Sequence, residues 1–499
     1  MNSREDSVEE LPDYGLKFGY DPFWRGPLRV HRGLTDKPCL LILIVAIIIY
    51  AVLSYYGWQW RFWMTDAYRV EKISEGMKEF VPMNKWAAAT KAIFDQRWVI
   101  TGGLVLTGAL SIFCLMLMRV SAWAVIYSSI FVLFSVVCAG IAYLAYYFGI
   151  DPSVLKLVYL ILAIGLFIFL LFVFKIKAKF IPVCCELVRE SSRVMMFFPS
   201  MFLLSVFIWG LTGCLIGWSA LIFSIWFKYR QCAASFGKEE KEVYVYLFAL
   251  CPCGVGMVVA LFAFFRMVAA GSYSTWYWTM DKRRVPHLTP IRFILIVFLH
   301  HLGTATLGGP IVVLCKVFRF LTGIFRLLEG RDVPNPLSYL LRCITMFLNF
   351  IFVFVALFDP YSDETYIFTA IHGDNFCTSS KQSFHLGRRN RSKIRVLRHM
   401  ITVLVLIFTL AVCTIVGLLM WLVLAQVMKL SIIQSPFGLV FVVVLIFLLA
   451  HILFMQLDVA SNTLFLCACE DYERNAASLR PYHMTDKLRE LIISRNLPE

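Results

Sequence analysis

Apolar residues along this chain come in long unbroken runs, without the alternation of a half-buried strand or the one-sided stripe of a surface helix. The runs lie at about 38–57, 98–119, 121–148, 156–180, 199–227, 245–270, 291–318, 337–358, 399–429 and 436–465. Each approaches or exceeds the ~20 apolar residues that a helix needs to cross a bilayer. Backbone in lipid must satisfy its own hydrogen bonds, so with no strand alternation in view the element is the helix. The pattern predicts an all-α fold, a polytopic membrane helix bundle of about ten transmembrane helices. They form one domain, 38–466, between an N-terminal segment 1–37 and a C-terminal tail 467–499.

Charge chooses the side. Basic residues gather in alternate connections: Arg25, Arg29, Arg32 and Lys37 before the first run; Lys175, Lys177, Lys179, Arg189 and Arg193 between the fourth and fifth; and Arg388, Arg389, Arg391, Lys393, Arg395 and Arg398 between the eighth and ninth. The opposite connections mix signs, 58–97 setting Arg69, Lys72 and Lys78 against Asp66, Glu71, Glu75 and Glu79, and 228–243 setting Lys238 and Lys241 against Glu239, Glu240 and Glu242. Positive residues stay inside, which makes both termini cytosolic and 58–97 a short extracellular loop. The sequon Asn390-Arg391-Ser392 then lies in a cytosolic connection and is expected to stay unglycosylated. The acidic start MNSREDSVEELPDYG is no secretory signal, and the first run is expected to be its own insertion signal.

Composition agrees: 60% of residues are hydrophobic and 16% charged, against about a quarter charged in a soluble domain. The net charge of +15 is spread over the connections, with no basic module for nucleic acid. Of the 15 cysteines, Cys114, Cys138, Cys214 and Cys413 fall inside apolar runs, so no disulfide framework is expected. The C-x-C pairs Cys251/Cys253 and Cys467/Cys469 lack further ligands at metal spacing. There is no Walker loop, G-x-S-x-G, H-E-x-x-H or strand-borne G-x-G-x-x-G. The expectation is a protein that is not an enzyme, with no catalytic residue, cofactor or metal.

Polar residues inside the runs are the candidate chemistry. In the seventh, "HHLGTATLGGP" (300–310) puts His301, Thr304, Ala305 and Gly308 on one helical face. That face suits close helix packing, or a loosened helix lining a mid-membrane cavity. In the tenth, His451, Asp458 and Asn462 share a side; His451 lies deep enough to act as a proton carrier, or is a structural histidine bonded to a neighbouring helix. Ring faces hold quaternary ammonium ions through cation–π attraction. Trp58, Trp60, Trp63, Trp98, Trp276 and Trp278 lie near run ends, as an interfacial belt would, whereas Trp209 and Trp218 lie deeper in the fifth run and are the cage candidates.

Several stretches resemble the choline transporter-like family: "YDPFWRGPLRVHRGLTD" (20–36), "GSYSTWYWT" (271–279), "HHLGTATLGG" (300–309), "YIFTAIHGDNFCTSSKQSFHLGRRN" (366–390), and "AHILFMQLDVASNTLFLCACEDYERN" (450–475) followed by "PYHM" (481–484). The resemblance is strongest from about residue 245 onward. By position, His301, Gly303 and Gly308 match the family's HLG and following glycine, Trp276 and Tyr277 its W-Y pair, and His451 its A-H. It implies about ten spans, cytosolic termini and sodium-independent transport of choline, ethanolamine or a related small organic cation, with proton exchange. Two features depart from the family: the loop 58–97 lacks the long, cysteine-containing, glycosylated form, and Asn462 stands where an acidic residue is expected.

The resulting expectation is a transporter in the plasma membrane, an organelle membrane being the alternative, driven by membrane potential and possible proton exchange, whose partners are its small cation and the lipid bilayer. Trp209, Trp218, Thr304 and Gly308 are expected to bind substrate, and His301, His451 and Asp458 to couple protons. Two other classes stand beside it: a non-transporting scaffold that keeps the fold, and an intramembrane enzyme acting on lipid head groups.

Overall fold

In a computed structural model the chain is helical almost throughout the residues described, which are 32–71, 97–150, 181–235, 242–308, 363–422, 436–475 and 482–493, with scattered helical residues between 157 and 175; none of them is in a strand. In chain order the helices are α1 (Lys37–Glu71), α2 (Arg97–Ile150), α3 (Ile181–Phe197), α4 (Ser200–Ser235), α5 (Glu242–Trp278), α6 (Thr289–His300), α7 (Leu302–Gly308), α8 (Asp363–His372), α9 (Phe376–Arg389), α10 (Arg391–Leu422), α11 (Pro436–Asn475) and α12 (Asp486–Ile493).

Six described helical segments are long and apolar enough to cross a membrane: Lys37–Gln59, Ile100–Ser128, Ser200–Phe223, Pro252–Trp278, Leu397–Met420 and Val442–Glu473; α6 and α7, bent by 74°, make a seventh if they count as one span. Their outward faces carry bare aliphatics, such as Leu41 at 66% exposure and Val120 at 82%. So large an exposed apolar surface belongs against lipid tails, since soluble monomers rarely expose more than a few hundred Å2 in one patch. The expected span 337–358, most of 156–180, the later part of 291–318 and the loop residues 72–96 lie outside the described residues.

Where sequence and structure can be compared, the boundaries shift in one direction. Helices run past the apolar runs, α1 to Glu71, α5 to Trp278 and α11 to Asn475. The extensions of α1, about four turns, and of α11 include Arg61, Arg69, Glu71, Glu470, Glu473 and Arg474, which are good helix formers. Between the second and third runs the backbone leaves helical geometry at one residue, Ser121 (φ −143°, ψ 71°), where the apolar pattern divides. The basic connection before the ninth run is itself helix, α9 and the start of α10.

The chain forms two compact units. The first comprises residues 1–80 and 203–388, where α5 packs against α1, α6 and α8. Gly57 lets α1 approach α4, because a Cβ there would stand 2.5 Å from Trp226 Nε1 and 2.7 Å from Ile222 Cγ2. The second comprises 81–202 and 389–499, with α10 and α11 packed together and α2, α3 and α12 joined to them. There Gln456 donates to the Met201 carbonyl at 3.1 Å and Ser461 bonds Ser191 at 2.9 Å. Asp471, fully buried, accepts from the backbone N–H of His483 and Met484 at 2.8 and 3.3 Å, which fastens the PYHM tail to α11. Cys467 and Cys469 are both buried in α11, whereas the Cys251 side chain lies outside the described residues.

Asn390 is occupied. Its Nδ2 donates to Glu473 Oε1 at 3.1 Å beside the two-pronged Arg389–Glu473 pair, whose closest approach is 2.6 Å. Because this connection is expected on the cytosolic side, endoglycosidase treatment of the protein from a glycosylating host is expected to leave its electrophoretic mobility unchanged; a shift that Asn390→Gln removes would refute this.

Candidate functional site

Three of the stretches singled out by resemblance meet in the first unit. Residues 32–36, which precede α1 and are in no helix, lie against the bend between α6 and α7 and against the turn between α8 and α9. Thr35 N–H donates to the His300 carbonyl at 2.8 Å, and Thr35 Oγ1 to the same carbonyl at 2.9 Å. Thr35 Oγ1 also lies 3.0 Å from His301 Nδ1 and 2.8 Å from Thr304 Oγ1. Thr304 in turn donates to Asp36 Oδ2 at 2.6 Å.

Asp36 ties the third stretch in. Its Oδ2 accepts the Phe376 N–H at 3.0 Å, which puts a carboxylate at the N-terminus of α9, where the helix dipole favours it. It is the one described non-glycine residue with positive φ, 49°, a left-handed conformation that Asp tolerates better than most residues. Gly303 is opposite: a Cβ on it would stand 2.8 Å from the Thr35 carbonyl and closer still to that of Asp36. Arg32 completes the strap, donating to the Ala370 carbonyl at 2.7 Å and to His301 Nε2 at 3.2 Å, with its guanidinium 5.6 Å from the Phe293 ring centre. That ring presses on Gly271, the first residue of GSYSTWYWT, where any Cβ would collide.

The bonding assigns the imidazole. A guanidinium only donates, so His301 Nε2 accepts and Nδ1 carries the proton toward Thr35. Both ring nitrogens of His301 are engaged and the residue has no exposed surface. His301, Thr304, Ala305 and Gly308 are all buried, the face expected from spacing. At its far end, a Cβ on Gly308 would stand 2.7 Å from Tyr366 Oη and nearer still to the Phe376 ring. The Tyr366 and Phe376 rings lie 5.8 Å apart at 52°. The Tyr366 hydroxyl is buried without a hydrogen-bond partner, and burial, reinforced by Asp363, raises its pKa. Arg266, ion-paired with Asp363, anchors α8 to α5.

The aromatic candidates lie elsewhere in the same unit. Trp218 is 40% exposed on α4 and stacks on Trp58 of α1, ring centres 5.7 Å apart at 22°. Beside them Tyr50, Ile222, Trp226 and Leu250 form a buried cluster flanked by Leu53, Leu215, Cys253 and Met257, in which no side chain is charged. Tyr50 Oη is 2.8 Å from Ser219 Oγ. Trp209 is half-buried on α4. Trp276 faces the chain's own cation, Lys282 Nζ, 4.6 Å from the ring centre, while that ammonium donates to the Trp276 and Tyr277 carbonyls and caps α5. Trp278 is fully buried, not at an interface, and the Trp60 and Trp63 side chains lie outside the described residues.

His451, Asp458 and Asn462 are half-buried along α11 in the second unit. His451 has a ring where a polar partner was the alternative, Phe447 at 5.8 Å and nearly parallel, and its Nδ1 has no hydrogen bond. Spacing missed Arg32, Thr35, Asp36, Tyr366 and Phe376, which complete the knot around His301 and Thr304. Their signal was the quoted resemblance in 20–36 and 366–390 rather than any local periodicity.

Comparison with known proteins follows the same stretches. A family described as plasma-membrane choline transporter matches residues 159–473. The chain is 31% identical over 241 residues to Choline transporter-like 2 of Drosophila melanogaster, covering 47% of this chain and 29% of that protein. It is 27% identical over 356 residues to Choline transporter-like protein 2 of Dictyostelium discoideum (68% and 54%) and 28% identical over 389 residues to Choline transporter-like protein 1 of Caenorhabditis elegans (69% and 49%). The matched regions thus span from under a third to about half of these relatives' length.

Proposed function

Because this multi-pass integral membrane protein belongs to the plasma-membrane choline transporter family, we propose that it carries choline or a related small organic cation, ethanolamine included, across the plasma membrane. The observation that carries the reading is the aromatic seam between α1 and α4, where a half-open Trp218 stacks on Trp58 beside a cluster of apolar side chains. Trp218 and Trp209 are the proposed substrate contacts. The strap against Thr304 contains the Arg32 guanidinium, a poor seat for a cation and a good closure, and Gly308 is covered by Tyr366 and Phe376, so these two residues are assigned to the gate. An inside-negative potential supplies ~2.3 kcal/mol per charge per 100 mV, enough for roughly fifty-fold accumulation without sodium or ATP. Among the proposed proton-coupling residues His301, His451 and Asp458, His451 is the one with an open ring nitrogen.

Uptake of radiolabelled choline into proteoliposomes, with and without an imposed potential and pH gradient, tests this. A cation–π contact is worth about 1–2 kcal/mol when desolvated. Trp218→Ala is therefore expected to raise KM roughly five- to thirty-fold. Trp276→Ala, whose ring already faces Lys282, is expected to leave KM within about two-fold. Equal effects would sink the seam as the seat. A second reading, a non-transporting scaffold with the family fold, is favoured by the engagement of both His301 ring nitrogens within the chain; it predicts no gradient-dependent uptake.

A further inference from the structure

α9 has two faces of different chemistry. Phe376, Ser379, Ser380, Ser383 and Leu386 are buried, while Lys381, Phe384, His385 and Arg388 are exposed on the other side. Those four recur at three- and four-residue steps and form one stripe. The helix contains no acidic residue. Phe384, 37% exposed, lies edge-on to His385 with ring centres 6.0 Å apart. Nearby Arg389 is taken up by Glu473, so Lys381 and Arg388 carry the stripe's charge.

Connectivity places this stripe near the membrane surface. α9 ends at Arg389, and the apolar span of α10 begins at Leu397, eight residues on. At 1.5 Å per residue that is at most about 12 Å, against a head-group layer roughly 5–8 Å deep, so the end of α9 lies within a few ångström of the head groups. The same eight residues add Arg391, Lys393 and Arg395 to the sequence. We propose that the exposed face of α9 is a docking surface for anionic phospholipid, with Lys381 and Arg388 pairing head-group phosphates or carboxylates and Phe384 entering between the lipids. Juxtamembrane basic residues each contribute about 1 kcal/mol at an anionic surface, so the stripe discriminates between leaflets of different charge. Because α9 is capped by Asp36, lipid bound there reports to the strap.

Thermal unfolding of the full chain in neutral detergent, with dioleoyl phosphatidylserine added and with dioleoyl phosphatidylcholine as control, tests the proposal. Phosphatidylserine is expected to raise the midpoint and phosphatidylcholine to do so less. The Lys381→Gln/Arg388→Gln pair is expected to lose at least half of that difference, and Phe384→Ser part of it. Arg292→Gln, an exposed charge on α6, keeps all of it. Full retention by the double variant overturns the proposal, as does an equal rise with inorganic phosphate alone, which would mark a generic anion site. A double variant that elutes as aggregate is replaced by Lys381→Gln alone, expected to show a smaller but distinct loss.

Discussion

Gly303→Ala is expected to destabilise the protein by about 1–3 kcal/mol and to abolish gradient-driven uptake, the usual cost of forcing a methyl into a filled site. The atoms in its way are the Thr35 and Asp36 carbonyls. These are backbone, at a residue already held in left-handed geometry, and cannot swing aside as a flexible side chain would. The strap must therefore lift from the α6–α7 bend, which stretches the bonds from Thr35 to His300 and from Thr304 to Asp36. Gly213→Ala is the control: nothing lies within 4 Å of that Cβ, and alanine is the better helix former by about 1 kcal/mol. Thermal unfolding and uptake on both variants separate the cases. A Gly303→Ala protein as stable and active as Gly213→Ala would show that the close approach does not matter.

The spans that the described residues contain, six or seven against the ten expected, were legible because lipid imposes one rule on every residue of a run. The division expected at residue 120 has a neighbouring kink at Ser121, but the apolar stretch Ile100–Ser128 runs through it as one candidate span. The buried face of Thr304, Ala305 and Gly308 was legible as well, since periodicity links residues a turn apart, whereas His301 sits at the bend before α7. What that face meets was not. Arg32 and His301 are 269 positions apart, and no helical period connects an extended segment to a bend. α9 was hidden for another reason, its buried side being largely serine, so that hydrophobic spacing gives a loop where the chain makes a helix. Position near a run end was misleading for Trp278, which is fully buried rather than part of an interfacial belt.

Arg32→Ala is expected to be nearly as severe as the glycine substitution, and its partner His301 shows why. Removing the guanidinium strips a donor from the Ala370 carbonyl and from His301 Nε2. An orphaned buried acceptor costs about 1–3 kcal/mol. Arg32→Lys is expected to recover little, because one ammonium cannot serve both acceptors as the planar fork does. His301→Gln should recover most of what His301→Ala loses, since its amide offers the same pairing: an oxygen toward Arg32 and an N–H toward Thr35. Combining Arg32→Ala with His301→Ala should cost less than the sum of the two, by about 0.5–3 kcal/mol for directly bonded partners. The pH profile of uptake distinguishes packing from coupling. An imidazolium at 301 has no acceptor left for Arg32, so a proton can reach Nε2 only after the strap has opened. If the strap is purely a closure, His301→Gln lowers uptake without altering its pH dependence, whereas His451→Gln flattens it. If instead His301→Gln alone flattens the profile while the fold holds, the bent histidine is itself the proton carrier, and opening of the Arg32 strap becomes a step of the transport cycle.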